Sequence, residues 1–199
     1  MKILHATDLH YNQSACAWLA DNQSLADVVC LTGDFLDTRT NAVESLQAQA
    51  AFFVAWFRTF SVPLFVCSGN HDVVWDHGAW LNTQNLPGVH GDTSKTEVEG
   101  MVFGCVPYDG DLAAFADCDV LLHHVPPSGS KTARQHGEDF GSQTLRSALS
   151  ARALHARYIL CGHVHQPAKS AVRKGDCVIV NAGGIHTRHQ PSHALIDVS

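Results

Sequence analysis

One pattern constrains this chain more than any other. Five times, a short apolar run stops abruptly at a turn bearing side chains of metal-ligand type. "KILHAT" leads to Asp8 and His10, "DVVCLTG" to Asp34, "VPLFVCSG" to Asn70 and His71, "DVLLH" to His124, and "RYILCG" to His163 and His165. Runs this short, rich in Val, Ile, Leu and Cys, read as buried strands. In α/β sheets, sites form beyond the carboxyl ends of the strands. The pattern therefore predicts an α/β fold in which separate strands deliver carboxylate, imidazole and amide groups to one place. Gly33, Gly69 and Gly162 each directly precede a candidate ligand, where a tight turn needs permissive backbone.

Helical patterns lie between the runs. Over residues 41–60, Val43, Leu46, Ala50, Phe53, Phe57 and Phe60 recur at three- and four-residue steps, one apolar stripe facing a sheet. Asn41 with Glu44 resembles a capping box at its start. A second helix is predicted over 142–154 with Ser142 as N-cap, and a third around 13–20. "TEVEGMVFGCVPY" reads as two strands joined near Gly100, and more strands follow in "AKSAVRKGDCVIVNAGG" and "HALIDVS". With no repeat, low-complexity tract or linker, residues 1–199 are expected to form one domain without a separate cap.

Composition narrows the chemistry. There are 14 His against 13 Lys plus Arg, and imidazole is the common side-chain ligand for transition metals. A formal charge of −6 argues against a nonspecific nucleic-acid or anionic-membrane binder. It leaves room for a metal enzyme acting on phosphates, because bound cations supply the local positive charge. None of the seven Cys forms a C-x-x-C pair, and Cys30, Cys67, Cys105, Cys161 and Cys177 sit in or beside apolar runs. They are expected to be reduced thiols used as small core hydrophobes, which implies a reducing compartment. "MKILHATDLH" holds no signal-peptide core, and no apolar run reaches transmembrane length. The expected location is the cytoplasm, with no membrane partner.

Carboxylate, imidazole and amide oxygen together suit borderline divalent metals such as Mn, Fe, Co or Zn better than an all-oxygen Mg site. Taken singly, a His near a strand end is more often structural. His5 is expected to be such a strand residue, with a satisfied hydrogen bond. Joint occurrence in one structural context carries the reading. His123 and His124 compete for the fourth position.

The ordered set "DLH" (8–10), "GD" (33–34), "GNHD" (69–72), "HHVPP" (123–127) and "GHVH" (162–165) resembles the calcineurin-like metallophosphoesterases, and "VNAGG" (180–184) extends the likeness. The resemblance implies a four-layer α/β/β/α sandwich, two mixed β-sheets flanked by helices. It also implies a centre of two divalent ions (Mn, Fe, Zn, Co or Ni). Asp8, His10 and His165 would hold one ion, Asn70, His124 and His163 the other, with Asp34 bridging. The family's H-x-P-P pattern matches "HVPP", which selects His124. Cations about 4 Å apart need a shared anion to limit repulsion, and the water between them becomes a hydroxide placed for in-line attack on phosphorus. His71 would face substrate, stabilising charge or protonating the leaving oxygen. The resemblance offers Asp37 as its orienting partner; Asp72 is more simply read as closing its own turn through backbone N–H groups. Phosphoprotein phosphatases read "GDxVDRG", whereas here Thr38 intervenes and Arg39 comes one position late, which counts against phosphate clamping by Arg39. His186, close after the glycine pair, is a candidate for touching substrate at the rim together with Asn70 and His71.

The expected function is therefore a two-metal phosphoesterase, acting on a small phosphodiester or phosphomonoester. The alternatives are a nuclease of the DNA-repair type, for which the sequence offers no basic run, and a non-catalytic scaffold of the same fold. A complete ligand set argues against the scaffold.

Overall fold

A computed structural model describes residues 1–81, 83, 85–184 and 189–198. Two sheets dominate it. The first orders β13 (His193–Asp197), β1 (Lys2–Ala6), β2 (Val28–Thr32), β3 (Leu64–Cys67) and β4 (Val89–His90). The second orders β11 (Ala171–Lys174), β12 (Cys177–Asn181), β10 (Tyr158–Cys161), β7 (Val120–Leu122), β6 (Met101–Cys105) and β5 (Lys95–Val98). Strands β1 to β4 run parallel, as do β6, β7, β10 and β12. The edge strands β13, β11 and β5 are antiparallel, which makes both sheets mixed. A small hairpin, β8 (Arg134–Gln135) with β9 (Glu138–Asp139), stands apart.

The period-2 alternation of each strand sorts its side chains between two cores. Leu4, Ala6, Val29, Leu31, Leu64 and Val66 pack outward against α1 (Gln13–Asp21) and α2 (Leu46–Phe57). Ile3, Val28, Cys30, Phe65 and Cys67 face inward against Phe103, Cys105, Val120, Leu122 and Leu160 of the second sheet. The far face of that sheet, with Leu121, Ile159 and Ile179, is covered by Leu145 of α3 (Gln143–Ser150) and by Leu112 and Phe115. Helix, sheet, sheet and helix form the four layers. All seven cysteines are free and buried, occupying these cores as small apolar groups. No helix among the described residues is long and apolar enough to cross a membrane.

Helix α2 corrects one expectation. It begins at Leu46, and Ser45 is its N-cap, the Ser45 Oγ accepting from the Ala48 N–H at 3.2 Å. Asn41 and Glu44 lie outside the helix, and Val43 is 95% exposed rather than part of the apolar face. A serine three residues ahead of an N–H satisfies an orphan donor of the first turn directly, so the shorter helix needs no capping box. Ser142 caps α3 as expected, accepting from the Leu145 N–H at 3.1 Å.

His5 departs from expectation in part. Its Nε2 lies 2.9 Å from Thr32 Oγ1, but its buried Nδ1 has no partner. Burial, outweighing the pull of Asp8, holds its pKa down from 6.5 to about 3. Between those values the unfolded chain binds the extra proton, so stability rises with pH across that window. Urea unfolding of the metal-free protein at pH 7 and pH 5 is expected to show an extra loss of about 2 kcal/mol at the lower pH that His5→Leu abolishes. An equal pH response in both proteins would refute the assignment.

Candidate metal centre

The carboxyl ends of β1, β2, β3, β7 and β10 meet at one edge of the sandwich. Immediately beyond them the backbone adopts conformations that side-chain-bearing residues seldom take. Asp8, His10, Asp34 and His163 have φ of 53°, 41°, 54° and 67°. Left-handed backbone of this kind costs about 1–3 kcal/mol per residue and tends to collect at functional sites. Here it aims the side chains into the space between the sheets' ends. Two glycines make the approach possible. A Cβ on Gly33 would sit 2.5 Å from Gly69 N and 2.7 Å from His124 Nδ1, and one on Gly69 would collide with the Asp34 carboxylate.

The side chains fall into overlapping groups whose potential ligand atoms lie within 4.8 Å of one another: Asp8, His10 and His165; Asp34, His124 and His163; and His10, Asp34 and His71. His165 Nε2 is 3.2 Å from Asp8 Oδ1 and 3.4 Å from His10 Nε2. Asp34 Oδ2 is 3.3 Å from His124 Nε2 and 3.8 Å from His10 Nε2 and from His71 Nε2, which places it between the groups. Asn70 Oδ1 joins at 2.9 Å from His163 Nδ1. The seven expected ligands thus lie together. His186 falls outside the described residues.

Second contacts orient the ligands. His124 Nδ1–H donates to Thr32 O at 2.6 Å and His10 Nδ1–H to Leu36 O at 3.2 Å, which turns each Nε2 toward the centre. Thr7 Oγ1 donates to Asp8 Oδ2 at 2.8 Å. Asp72, wholly buried, accepts from the N–H groups of Asp34, Phe35, Leu36 and Gly69 at 2.7 to 3.1 Å, pinning the β2 and β3 loops to each other. Burial and the nearby Asp34 carboxylate push its pKa up to about 8, against the pull of these donors.

The expected contact between Asp37 and His71 is replaced. Asp37 is held by Arg39, through Nε at 2.8 Å and Nη2 at 2.6 Å, while its own N–H donates to Gln49 Oε1. Thr38 Oγ1 instead lies 2.5 Å from His71 Nδ1. The extra residue between Asp37 and Arg39 lets the guanidinium fold back on the carboxylate in a bidentate pair. Thr38 was legible only as a departure from a familiar spacing. His123 stays outside the ligand groups, its Nδ1–H donating to Val125 O at 2.7 Å.

The electrostatics suit cations. Burial alone would lower His124, yet the adjacent Asp34 carboxylate pushes its pKa up to about 9. Burial would raise Asp34, and His124 and His10 overcome it and hold the carboxyl well below its usual range. The hydrogen bond to Asp8 raises His165, while burial lowers His10 and His163. The Nε2 of His124 is fully buried with no hydrogen-bond partner. A divalent cation fits there: it satisfies that nitrogen, displaces the proton that Asp34 stabilises, and accepts the mixed N/O set.

A two-sheet sandwich whose strand ends gather such a set is the framework of a metal-dependent phosphoesterase. A model of the calcineurin-like phosphoesterase family matches residues 1–167, and the chain belongs to that family of hydrolases acting on phosphate esters. Solved structures of similar fold include a protein of Thermus thermophilus (16% identity, 92% of this chain and 88% of that one, TM-score 0.62). A novel archaeal phosphodiesterase is similar over 99% of this chain and 93% of its own (16% identity, TM-score 0.57). So is the anchor in the inner membrane complex of Plasmodium (12% identity, 92% of this chain and 71% of that one, TM-score 0.58). No curated protein matches the sequence.

Proposed function

We propose that this chain, acting as one domain without a cap, hydrolyses phosphodiesters at a centre of two divalent cations. Asp8, His10 and His165 hold one cation, Asn70, His124 and His163 the other, and Asp34 serves both. The observation that carries this reading is the buried Nε2 of His124, which makes no hydrogen bond and lies 3.3 Å from the carboxylate of Asp34. When bound, the cations supply Lewis-acid polarisation of the phosphoryl group and a water made nucleophilic at neutral pH.

The chain's own residues do the rest. The His71 side chain is 30% exposed against 3% for Asp34, with its Nε2 3.8 Å from Asp34 Oδ2, so the ring borders both the centre and its open side, where a leaving oxygen needs a proton. The Thr38 hydroxyl at Nδ1 fixes the plane of that ring. Arg39 is engaged by Asp37, so among the described residues its guanidinium is not free to clamp the second charge of a monoester dianion. A singly charged diester is the better match. With Mn-loaded protein, turnover of bis-p-nitrophenyl phosphate is expected to exceed that of p-nitrophenyl phosphate at least tenfold; the reverse order would make it a monoesterase. Turnover of neither would favour a non-catalytic scaffold of the same fold.

A second reading, a nuclease, has its own observation. Lys131, Arg146, Lys169, Arg173 and Lys174, five of the 13 basic residues, line one cleft of about 640 Å³ to which, among the described residues, no Asp or Glu contributes. A phosphate backbone held there would bind with strongly salt-dependent affinity. Failure to retain a single-stranded oligonucleotide at low salt would remove this reading.

A further inference from the structure

Beside the metal centre lies a cleft of about 310 Å³, bounded on one side by His123, His124 and His163. Tyr108, Leu112, Val125 and Phe140 supply its apolar walls. Among the described residues, Asp109 is the one acidic group in the lining, and no Lys or Arg contributes to it. Tyr108 is anchored, its N–H donating to Ser68 Oγ at 2.8 Å, two residues before Asn70. Its ring centroid is 6.4 Å from that of His124. Phe140 follows the β8–β9 hairpin, held by a bond from its N–H to Ala133 O at 2.9 Å, and is 46% exposed. A large apolar ring fixed by its backbone at the mouth of a cleft, uncovered by the rest of the fold, offers a stacking face.

His71 is absent from this lining. It sits on the other flank of the centre, its ring 4.6 Å from that of His10. The two flanks therefore offer different surroundings to the two arms of a diester. We propose that the cleft seats the arm that stays on phosphorus, and that this arm carries a flat, uncharged ring system such as an aryl group or the base of a nucleoside. The inference rests on the phosphodiesterase reading above. In the reaction, water oxygen bonds to phosphorus and the P–O bond to the arm beside His71 breaks. The departing oxygen takes a proton from His71, which regains one from solvent, while the attacking water gives up its proton to solvent on the opposite side of phosphorus. The arm in the cleft remains on the monoester product. A cleft without cations, carrying an Asp, turns away arms bearing further phosphates.

The test uses Mn-loaded protein and two diesters with the same leaving group, phenyl p-nitrophenyl phosphate and methyl p-nitrophenyl phosphate. Their ratio of kcat/KM, divided by the same ratio in Phe140→Ala, cancels their intrinsic reactivities. Phe140 is exposed, so the substitution spares the core. The ratio is expected to fall about tenfold in Phe140→Ala, mainly through KM of the phenyl ester, and to stay put in Val43→Ala, an exposed apolar site outside the cleft lining. Hydrolysis of both esters with the ratio unchanged in Phe140→Ala and in Tyr108→Ala overturns the arm assignment and leaves the phosphodiesterase reading standing. Hydrolysis of neither overturns both.

Discussion

Asp34→Asn is expected to reduce turnover of bis-p-nitrophenyl phosphate about a thousandfold and to weaken binding of the second cation. The carboxylate lies within 3.8 Å of Nε2 atoms from both ligand groups, so its charge would act on an ion held by either. Removing one charge at roughly 4 Å, at an effective dielectric of about 20, forfeits about 4 kcal/mol per unit charge on the ion, so about three powers of ten is the lower end of the expected loss. Asparagine keeps an oxygen for one ion but not a charge to separate two. A readout free of metal accompanies this. Asp34 is what lifts His124 against the effect of burial, so the His124 pKa should drop in the metal-free variant, as NMR titration would reveal. Two ions per chain at unaltered affinity, with His124 still raised, would remove Asp34 from the bridging role.

Asp72→Ala carries the second large effect, on stability. Four buried backbone N–H groups lose their acceptor together. An unsatisfied buried donor costs about 1–3 kcal/mol, so the sum is on the order of 4 kcal/mol or more even if water reaches some of them. That is a large share of the roughly 5–15 kcal/mol that holds a domain of this kind folded. Asp72→Asn keeps one acceptor and should fall between. Because the four donors belong to the loops presenting Asp34 and Asn70, metal affinity should weaken alongside stability. Urea unfolding of the metal-free protein measures the effect, and a loss below about 1 kcal/mol in Asp72→Ala would show that Asp72 is not the tie between those loops.

Much of the architecture was legible from residue order. The apolar runs before Asp8, Asp34, Asn70, His124 and His163 are strands β1, β2, β3, β7 and β10, because a strand buried on both faces must be apolar along its whole length. Ser142 was readable as a cap because its partner, the Leu145 N–H, is three residues away. The start of α2 was misplaced because the Asn41–Glu44 spacing fits a capping box as well as Ser45 fits a simple cap, and only burial of Gln49 and Ala50 with exposure of Val43 separates them. The set of ligand types was legible too, each announced by the glycine or apolar run before it.

Which polar groups pair was not legible. Arg39 folds back on Asp37, two residues away, and Thr38 takes the place at His71 expected for Asp37; the turn after β2 chose, by the side on which it placed each group. Asp72 had donors within its own turn, but three of its four lie 36 to 38 residues away and became reachable when β2 and β3 paired. The five cations of the basic cleft and the aromatic walls beside His124 form no run in the chain. Residue type and local period determine strands, caps and the kinds of ligand, because those depend on backbone geometry over a few residues. Which groups touch depends on how two twisted sheets stack, and that is decided by the packing of Phe65, Phe103 and their neighbours across the whole core.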